Sequence, residues 1–271
     1  MSYDIVNGFA TGLLIPRTRP ETFPAYRTTQ QVLSKDQIRS IVENPERTPG
    51  RIRFPGGVWI RNQGSRGSCN GFAGAWALAR ARVMAGLPFV GLSGEYLYSM
   101  INGGRDSGSM LDDGMQALLE KGVAREELVK HESYLWSQMS DAARADAANH
   151  KGFECYRVDD DSELASGLAL GFVGVVAVHA NSSYQRLDSR GIRGTAIGPG
   201  NHAVGVQDVR IGDDGDFEYD EVGSWGRRNG QDGYAWLTWK QHLHSTVGNH
   251  AFYLIRAATD PQQSNVPEIV S

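Results

Sequence analysis

The chain has 271 residues, enough for one large domain or two small lobes around a sizeable core, which excludes a small scaffold held by staples. Its 27 Lys+Arg against 31 Asp+Glu leave a net charge of −4, so neither a nucleic-acid patch nor a polybasic membrane surface is announced. The only two cysteines, Cys69 and Cys155, cannot build a multi-bridge framework and point to a reducing compartment or to chemistry at a single thiol.

The N-terminal segment MSYDIVNGFATGLLIPRTRP carries Asp4 and no early Lys or Arg, and its GLLI run is too short for a signal h-region, so no cleaved signal is expected. Residues 1–33, with Pro16, Pro20 and Pro24, hold no periodic apolar pattern and read as an extension lying on a surface. Ser34 followed by Gln37 is a capping-box signature ahead of an Ile38, Ile41, Val42 stripe, which predicts a short helix over 35–44. Residues 46–68 read as extended and Gly-rich. They lead into GSCNGFAGAWALARARVMAGL, where Phe72, Trp76, Ala79 and Val83 recur at helical spacing. Further helices are predicted at 92–101, 112–121, 136–149 and 162–170, with one strand, 152–158, before the last of them. From residue 171 the pattern becomes strand-like in VGVVAVHA, NHAVGVQDVRI, FEYDEVGSW, GYAWLTW and HAFYLIRA, separated by Gly and Asp turns. A helical first half followed by antiparallel strands is an α+β layout with two lobes and a cleft for a site between them. The longest apolar stretch, Gly167 to Val178, falls short of the ~20 residues that cross a bilayer, so no membrane insertion is expected.

Chemistry concentrates in Gln63-Gly64-Ser65-Arg66-Gly67-Ser68-Cys69, which sets a thiol at a helix N-terminus. Unpaired N–H groups and the positive end of the helix dipole favour a thiolate there, and the thiolate is the nucleophile. Attack on a carbonyl needs donors for the oxyanion; the Cys69 N–H and the Gln63 side-chain amide supply two, brought together by a tight turn at Gly64 and Gly67. The chain carries 33 glycines where average usage gives about 19. A base is also required. His202, in Asn201-His202-Ala203-Val204, opens a strand at a separation from Cys69 within the ~130–150 residues of a cysteine and histidine pair of this kind.

These segments resemble the papain/cathepsin family of cysteine peptidases from about residue 50 to 257, in a form without disulfides as in bacterial or bacteriophage members. NQGSRGSCNGFAGAWAL is similar to the family's Gln-Gly…Gly-Ser-Cys…Phe-Ala box, LSGEYLYSM to its Leu-Ser-x-x-x-Leu helix, and GSMLDDGMQALLEKGV to its Gly-Ser…Ala-Leu…Gly-Val helix. VGVVAVHANSSYQRLDSRGIRG with NHAVGV, and GSWGRRNGQDGYAWL, resemble the stretches around the catalytic histidine and the Asn-Ser-Trp-Gly segment. The resemblance implies a two-lobed fold, a helical left lobe (about 60–150) and an antiparallel β-barrel-like right lobe (about 151–257), with an N-terminal extension (1–49) and a C-terminal tail (258–271). It implies Cys69 as nucleophile, His202 as acid/base and Gln63 in the oxyanion hole, with Trp225 shielding the histidine. Gly108 and Ser109 fall near the substrate-backbone wall, and Asn201 is counted with them and Trp225 among the substrate-binding positions.

Three departures stand out. Asn70 follows the nucleophile where the family prefers Trp, which would reshape one side of the cleft, and Arg66 stands where secreted members have a disulfide cysteine. The family's third catalytic group, an Asn before Ser-Trp-Gly, is Gly223. Ser224 or a water could serve weakly in its place. Because a thiolate–imidazolium pair is ionised before substrate arrives, the expectation is reduced activity rather than none.

Plainer readings account for the rest. Cys155 reads as core, and His250 is a rival base that lacks the following Ser-Trp-Gly segment. His242 and His244 have no third spaced ligand and read as surface histidines, so no metal is expected, and no cofactor. Asp159 to Asp161 read as a solvated turn and helix cap, and Asp213 to Asp216 as a hairpin turn. The sequence therefore predicts a peptidase acting on a peptide or protein substrate. The alternative is a catalytically impaired papain-like module in a larger assembly, such as a phage virion, with partners met through the N-terminal extension. A cytoplasmic or virion-associated location follows from the absence of a signal and of bridges.

Overall fold

The structure, a computed structural model, describes residues 3–46 and 59–257. The chain opens with a hairpin of β1 (Ile5–Val6) and β2 (Phe9–Ala10), turned by Asn7 and Gly8 at φ 48° and 87°. An extended run leads to α1 (Tyr26–Thr29) and then α2 (Lys35–Val42), whose capping box forms as the Ser34 and Gln37 spacing predicts. The helical lobe follows: α3 (Cys69–Met84), α4 (Gly94–Ile101), α5 (Leu111–Glu120) and α6 (Asp141–Ala147). The helix expected over 136–149 is split into a single 3₁₀ turn, Trp136–Gln138, and α6, because Ser140 caps α6 by accepting from the Ala143 N–H.

The second half holds β3 (Gly152–Val158), α7 (Asp161–Ala169), β4 (Val173–Val178), β5 (His202–Ile211), β6 (Phe217–Val222) and β7 (Tyr234–Thr238). A π-helical turn at Trp239–Leu243 and α8 (His244–Val247) lead to β8 (Phe252–Ala257). The strands form one antiparallel sheet in the order β3-β8-β4-β5-β6-β7. It is open: β3 pairs with β8 and β7 with β6, and the two edges do not meet. The expected barrel-like closure is thus not reached. Helix α3 lies across β4, β5 and β8 and covers the face that a barrel would have to fill with its own strands.

Helix α3 is buried nearly all round from Cys69 to Ala81, and Gly71 and Gly74 let it approach α4. Its far side meets the sheet, with Trp76 laid on Gly205 of β5. The seam between helical lobe and sheet therefore runs past the start of α3 and the start of β5. Cys69 and His202 open those two elements.

The N-terminal segment differs from the surface extension expected. Tyr26 is wholly buried, edge-on to Tyr156 and Phe172 at 6.1 and 5.8 Å, and Leu33 and Ile38 enter the same core. Arg27 pairs with Asp160 and Glu163 at the cap of α7. Single anchors on an irregular path leave no periodic signature in the sequence, yet each buries a full side chain. The expected boundary near residue 49 and the tail 258–271 lie outside the described residues.

Candidate active site

Cys69 is the first residue of α3, preceded by a loop held by the carboxylates of Glu132, which accepts from the Ser65 N–H (3.0 Å), and Asp106. Asp106 accepts from the Gly67 N–H (3.0 Å), the Tyr98 hydroxyl (3.0 Å), the Tyr3 hydroxyl (3.0 Å) and Arg66 (3.2 Å). The Arg66–Asp106 ion pair thus ties this loop to the α4–α5 connection, next to the nucleophile. Within the loop, Gln63 Nε2 donates to the Arg66 carbonyl (2.7 Å), and Gln63 Oε1 accepts from the Ser224 hydroxyl (2.6 Å). Ser224 is therefore committed to Gln63, not to His202. It holds the amide with its N–H₂ end toward the cleft.

Asn70 turns away from the cleft. Its Nδ2 donates to Ser109 Oγ (3.1 Å) and the Met110 carbonyl (2.6 Å), and its Oδ1 faces Gly114 of α5. The residue after the nucleophile pins α3 to the Ser109 wall rather than reshaping an open face.

His202 lies flat on Trp225, ring centroids 4.2 Å apart and planes 24° apart. Its Nδ1 is buried and, among the described residues, has no hydrogen-bond partner. Burial, aided by the nearby Arg193 charge, pushes the imidazole pKa down to about 3. The Cys69 thiol is fully buried as well. Burial pushes it up to about 12, against the pull of the Ala203, Asn70 and Cys69 N–H groups. The depressed thiol pKa expected at a helix N-terminus is therefore not found here: desolvation outweighs the dipole and disfavours the charged form of both groups.

The N-terminal segment lies over the neighbouring Gln63 and Trp225. The Ala10 carbonyl accepts from Gln63 Nε2 (3.2 Å) and from Trp225 Nε1 (2.8 Å), and Phe9 stacks on the outer side of Trp225 at 5.0 Å. The Gly12 and Leu13 N–H groups both donate to the Asn201 carbonyl (3.1 and 3.0 Å). Ser109 donates to the Gly12 carbonyl (2.9 Å) and accepts from the Leu14 N–H (3.0 Å). Gly12, at φ 137°, threads between Gly67 and Gly108, and a Cβ built on it would run into the Gly67 carbonyl. Residues 10–14 thus lie across Gln63, Ser109, Asn201 and Trp225, with Gly108 packed beside them. The Asn201 side chain faces the other way and pairs with the Ala180 backbone (2.7 and 3.1 Å).

Among the remaining candidates, Cys155 is buried in β3, and His250 packs its Nε2 against Gly200. His242 is not a surface residue. It is buried, its Nδ1 accepting from the Thr238 N–H (3.0 Å) and its Nε2 at 3.1 Å from the Arg193 carbonyl, because the chain there coils into a π-helical turn rather than a strand. No cluster of three or more metal-ligating side chains occurs among the described residues.

The sequence leaves residues 1–49 open to three roles, a propeptide, a strap over the cleft or a contact to partners, and gives neither the path of the strap nor the Asp106 anchor. The Asn7-Gly8 pair between Ile5-Val6 and Phe9-Ala10 is a hairpin signal that could have located the first; nothing local marks the second.

Comparison with known proteins adds the family context. Residues 56–255 match the model of the papain family cysteine proteases. Among solved structures, the chain is similar to xylellain, a cysteine protease from Xylella fastidiosa, at 22% identity over 93% of this chain and 96% of that one, with a TM-score of 0.65. It is also similar to the proform of a cysteine protease that is a major ragweed pollen allergen: 20% identity, 74% of this chain and 63% of that one, TM-score 0.58. The bromelain protease of Ananas comosus in complex with the E64 inhibitor follows at 18% identity over 73% and 93% of the two chains, TM-score 0.54. No curated protein sequence matches the chain.

Proposed function

Since the chain belongs to the papain family of cysteine proteases, we propose that it is a peptidase whose cleft is held latent by its own N-terminal strap. In the released cleft, Cys69 Sγ attacks a peptide carbonyl carbon, and the oxyanion forms against Gln63 Nε2 and the Cys69 N–H. His202 protonates the leaving amine and then activates the water that hydrolyses the thioester. A single observation carries this reading: a peptide carbonyl, that of Ala10, already occupies the Gln63 donor.

The strap acts twice. It fills the backbone-binding positions at Ser109 and Asn201, and it seals the Cys69 and His202 pair from water, which disfavours the charged form that attacks. Departure of the strap restores solvent to the pair and lets the helix dipole and the imidazole draw the thiol toward thiolate.

Gly223 and the partnerless His202 Nδ1 favour a second reading, an impaired papain-like module serving as a structural or binding component. Turnover separates the two. In a Gly12→Ala background, where the strap no longer fits, a mixed peptide library should be cleaved, and Cys69→Ala and His202→Ala should each abolish cleavage. Cleavage unaffected by Cys69→Ala would remove the peptidase assignment.

A further inference from the structure

The side chain absent at Gly223 leaves open what fixes the plane of the His202 ring. A Cβ built at Gly223 meets Glu221 Oε1 at 3.3 Å, the one atom among the described residues, beyond the adjacent ones, within 4 Å. Glu221 belongs to β6 and is buried. Its carboxylate accepts from Arg193 Nε (2.8 Å), Arg193 Nη2 (3.2 Å) and the Tyr184 hydroxyl (2.8 Å). Arg193 is fixed in turn by Asn229 Oδ1 (2.6 Å) and lies over the Tyr184 ring at 4.7 Å. Tyr184 presses edge-on against Trp225 at 6.3 Å, and Trp225 carries His202. A carboxylate, a guanidinium and a phenol are thus linked, through one indole, to the proposed acid/base.

A buried ion pair is a poor device for stability alone: an apolar pair of the same volume usually does as well or better. It does set geometry, because a bidentate Arg–carboxylate contact fixes direction as well as distance. We propose that Glu221, held by Arg193, is a positioning residue that does the work of the side chain missing at 223. Through Tyr184 and Trp225 it orients the His202 ring, and its negative charge offsets the Arg193 charge at the imidazole.

This inference rests on the cysteine–histidine reading above, but it does not need peptide turnover to be tested. Among the described residues, the titratable and charged groups around the stack include Cys69 at the start of α3, Arg61 beside Gly223 and Ser224, Tyr184 and Arg193 from the β4–β5 connection, Glu221 from β6 and His242 from the π-helical turn. Within the ion pair, Arg193 opposes protonation of His202 and Glu221 supports it. Removing the carboxylate alone leaves Arg193 unopposed, so the imidazolium must lose its proton at lower pH.

The test is the rate of Cys69 alkylation by iodoacetamide against pH, with the modified residue mapped by mass spectrometry, in the Gly12→Ala background. Glu221→Gln should lower the upper inflection of that profile by about one pH unit. Glu221→Leu combined with Arg193→Leu, which removes both charges, should raise it again, to its original position or above, because the Arg193 charge is gone as well. Gly223→Asn should bring no gain in rate, because its side chain meets Glu221. An unshifted inflection in a Glu221→Gln protein that melts normally, or a tenfold gain from Gly223→Asn, would overturn the proposal. If Glu221→Gln does not fold, Tyr184→Phe, which removes one donor to the carboxylate, replaces it: a changed alkylation profile supports the proposal and an unchanged one overturns it. Peptide hydrolysis by the same samples separates the two claims, since a shifted profile without turnover sinks the peptidase reading and leaves the positioning role standing.

Discussion

At Gln63 two contacts decide which end of an amide faces the cleft. The Ser224 hydroxyl holds Oε1, so Nε2 is left to meet a carbonyl, and it already meets that of Ala10. Gln63→Ala in the released enzyme should reduce kcat/KM by roughly 10² to 10³, the cost of losing one oxyanion donor. Ser224→Ala should cost less, with KM little changed, because the amide then keeps its place but turns between two orientations; steady-state kinetics on one peptide distinguishes the two. Cys69, Gln63 and His202 are legible in the sequence because each sits in a short motif whose chemistry is local: a thiol at a helix start, an amide across a glycine turn, an imidazole at a strand start. Glu221 and Arg193 are not legible. They stand 28 residues apart in a chain with many charges, and only the pairing of β5 with β6 and the fold of the connecting loop bring them together.

Among the elements, the helices and strands follow their apolar periods closely, and the differences arise where contacts are made by single residues. Helices α2 and α7 are both readable from their own sequence patterns, but nothing in either pattern pairs the two. Ile38→Ala should therefore destabilise the protein by about 2 to 5 kcal/mol in urea unfolding, as for a fully buried aliphatic side chain, and not by the few tenths expected on a surface helix. The path of the strap from β1 to Leu14 is not legible in the sequence for a different reason. It contributes backbone groups rather than side chains to the cleft, and backbone hydrogen bonding of an irregular segment leaves almost no trace in residue choice. The exception is Gly12. Its positive φ and its passage between Gly67 and Gly108 leave no room for a side chain, so glycine is required by both conformation and packing.

In the whole molecule, a helical lobe and an open six-stranded sheet meet along α3, and the cleft at that seam is closed by a segment of the same chain. The departure from a closed barrel and the burial of residues 26–38 have one origin. Both sheet faces are covered by helices, so the chain needs neither strand closure nor a free extension. The proposed latency rests on this arrangement: Ser109 and the Asn201 carbonyl are satisfied intramolecularly, and burial disfavours charge on Cys69 and His202. The most direct measurement is the rate at which the full-length chain and its Gly12→Ala variant hydrolyse the same peptide, each with a Cys69→Ala control. Steric conflict and an unfavourable φ together cost the docked strap about 3 kcal/mol, so the variant should be faster by on the order of a hundredfold, with hydrolysis absent in both controls. Equal rates in the two proteins, or a variant that stays inert while folding normally, would contradict the account.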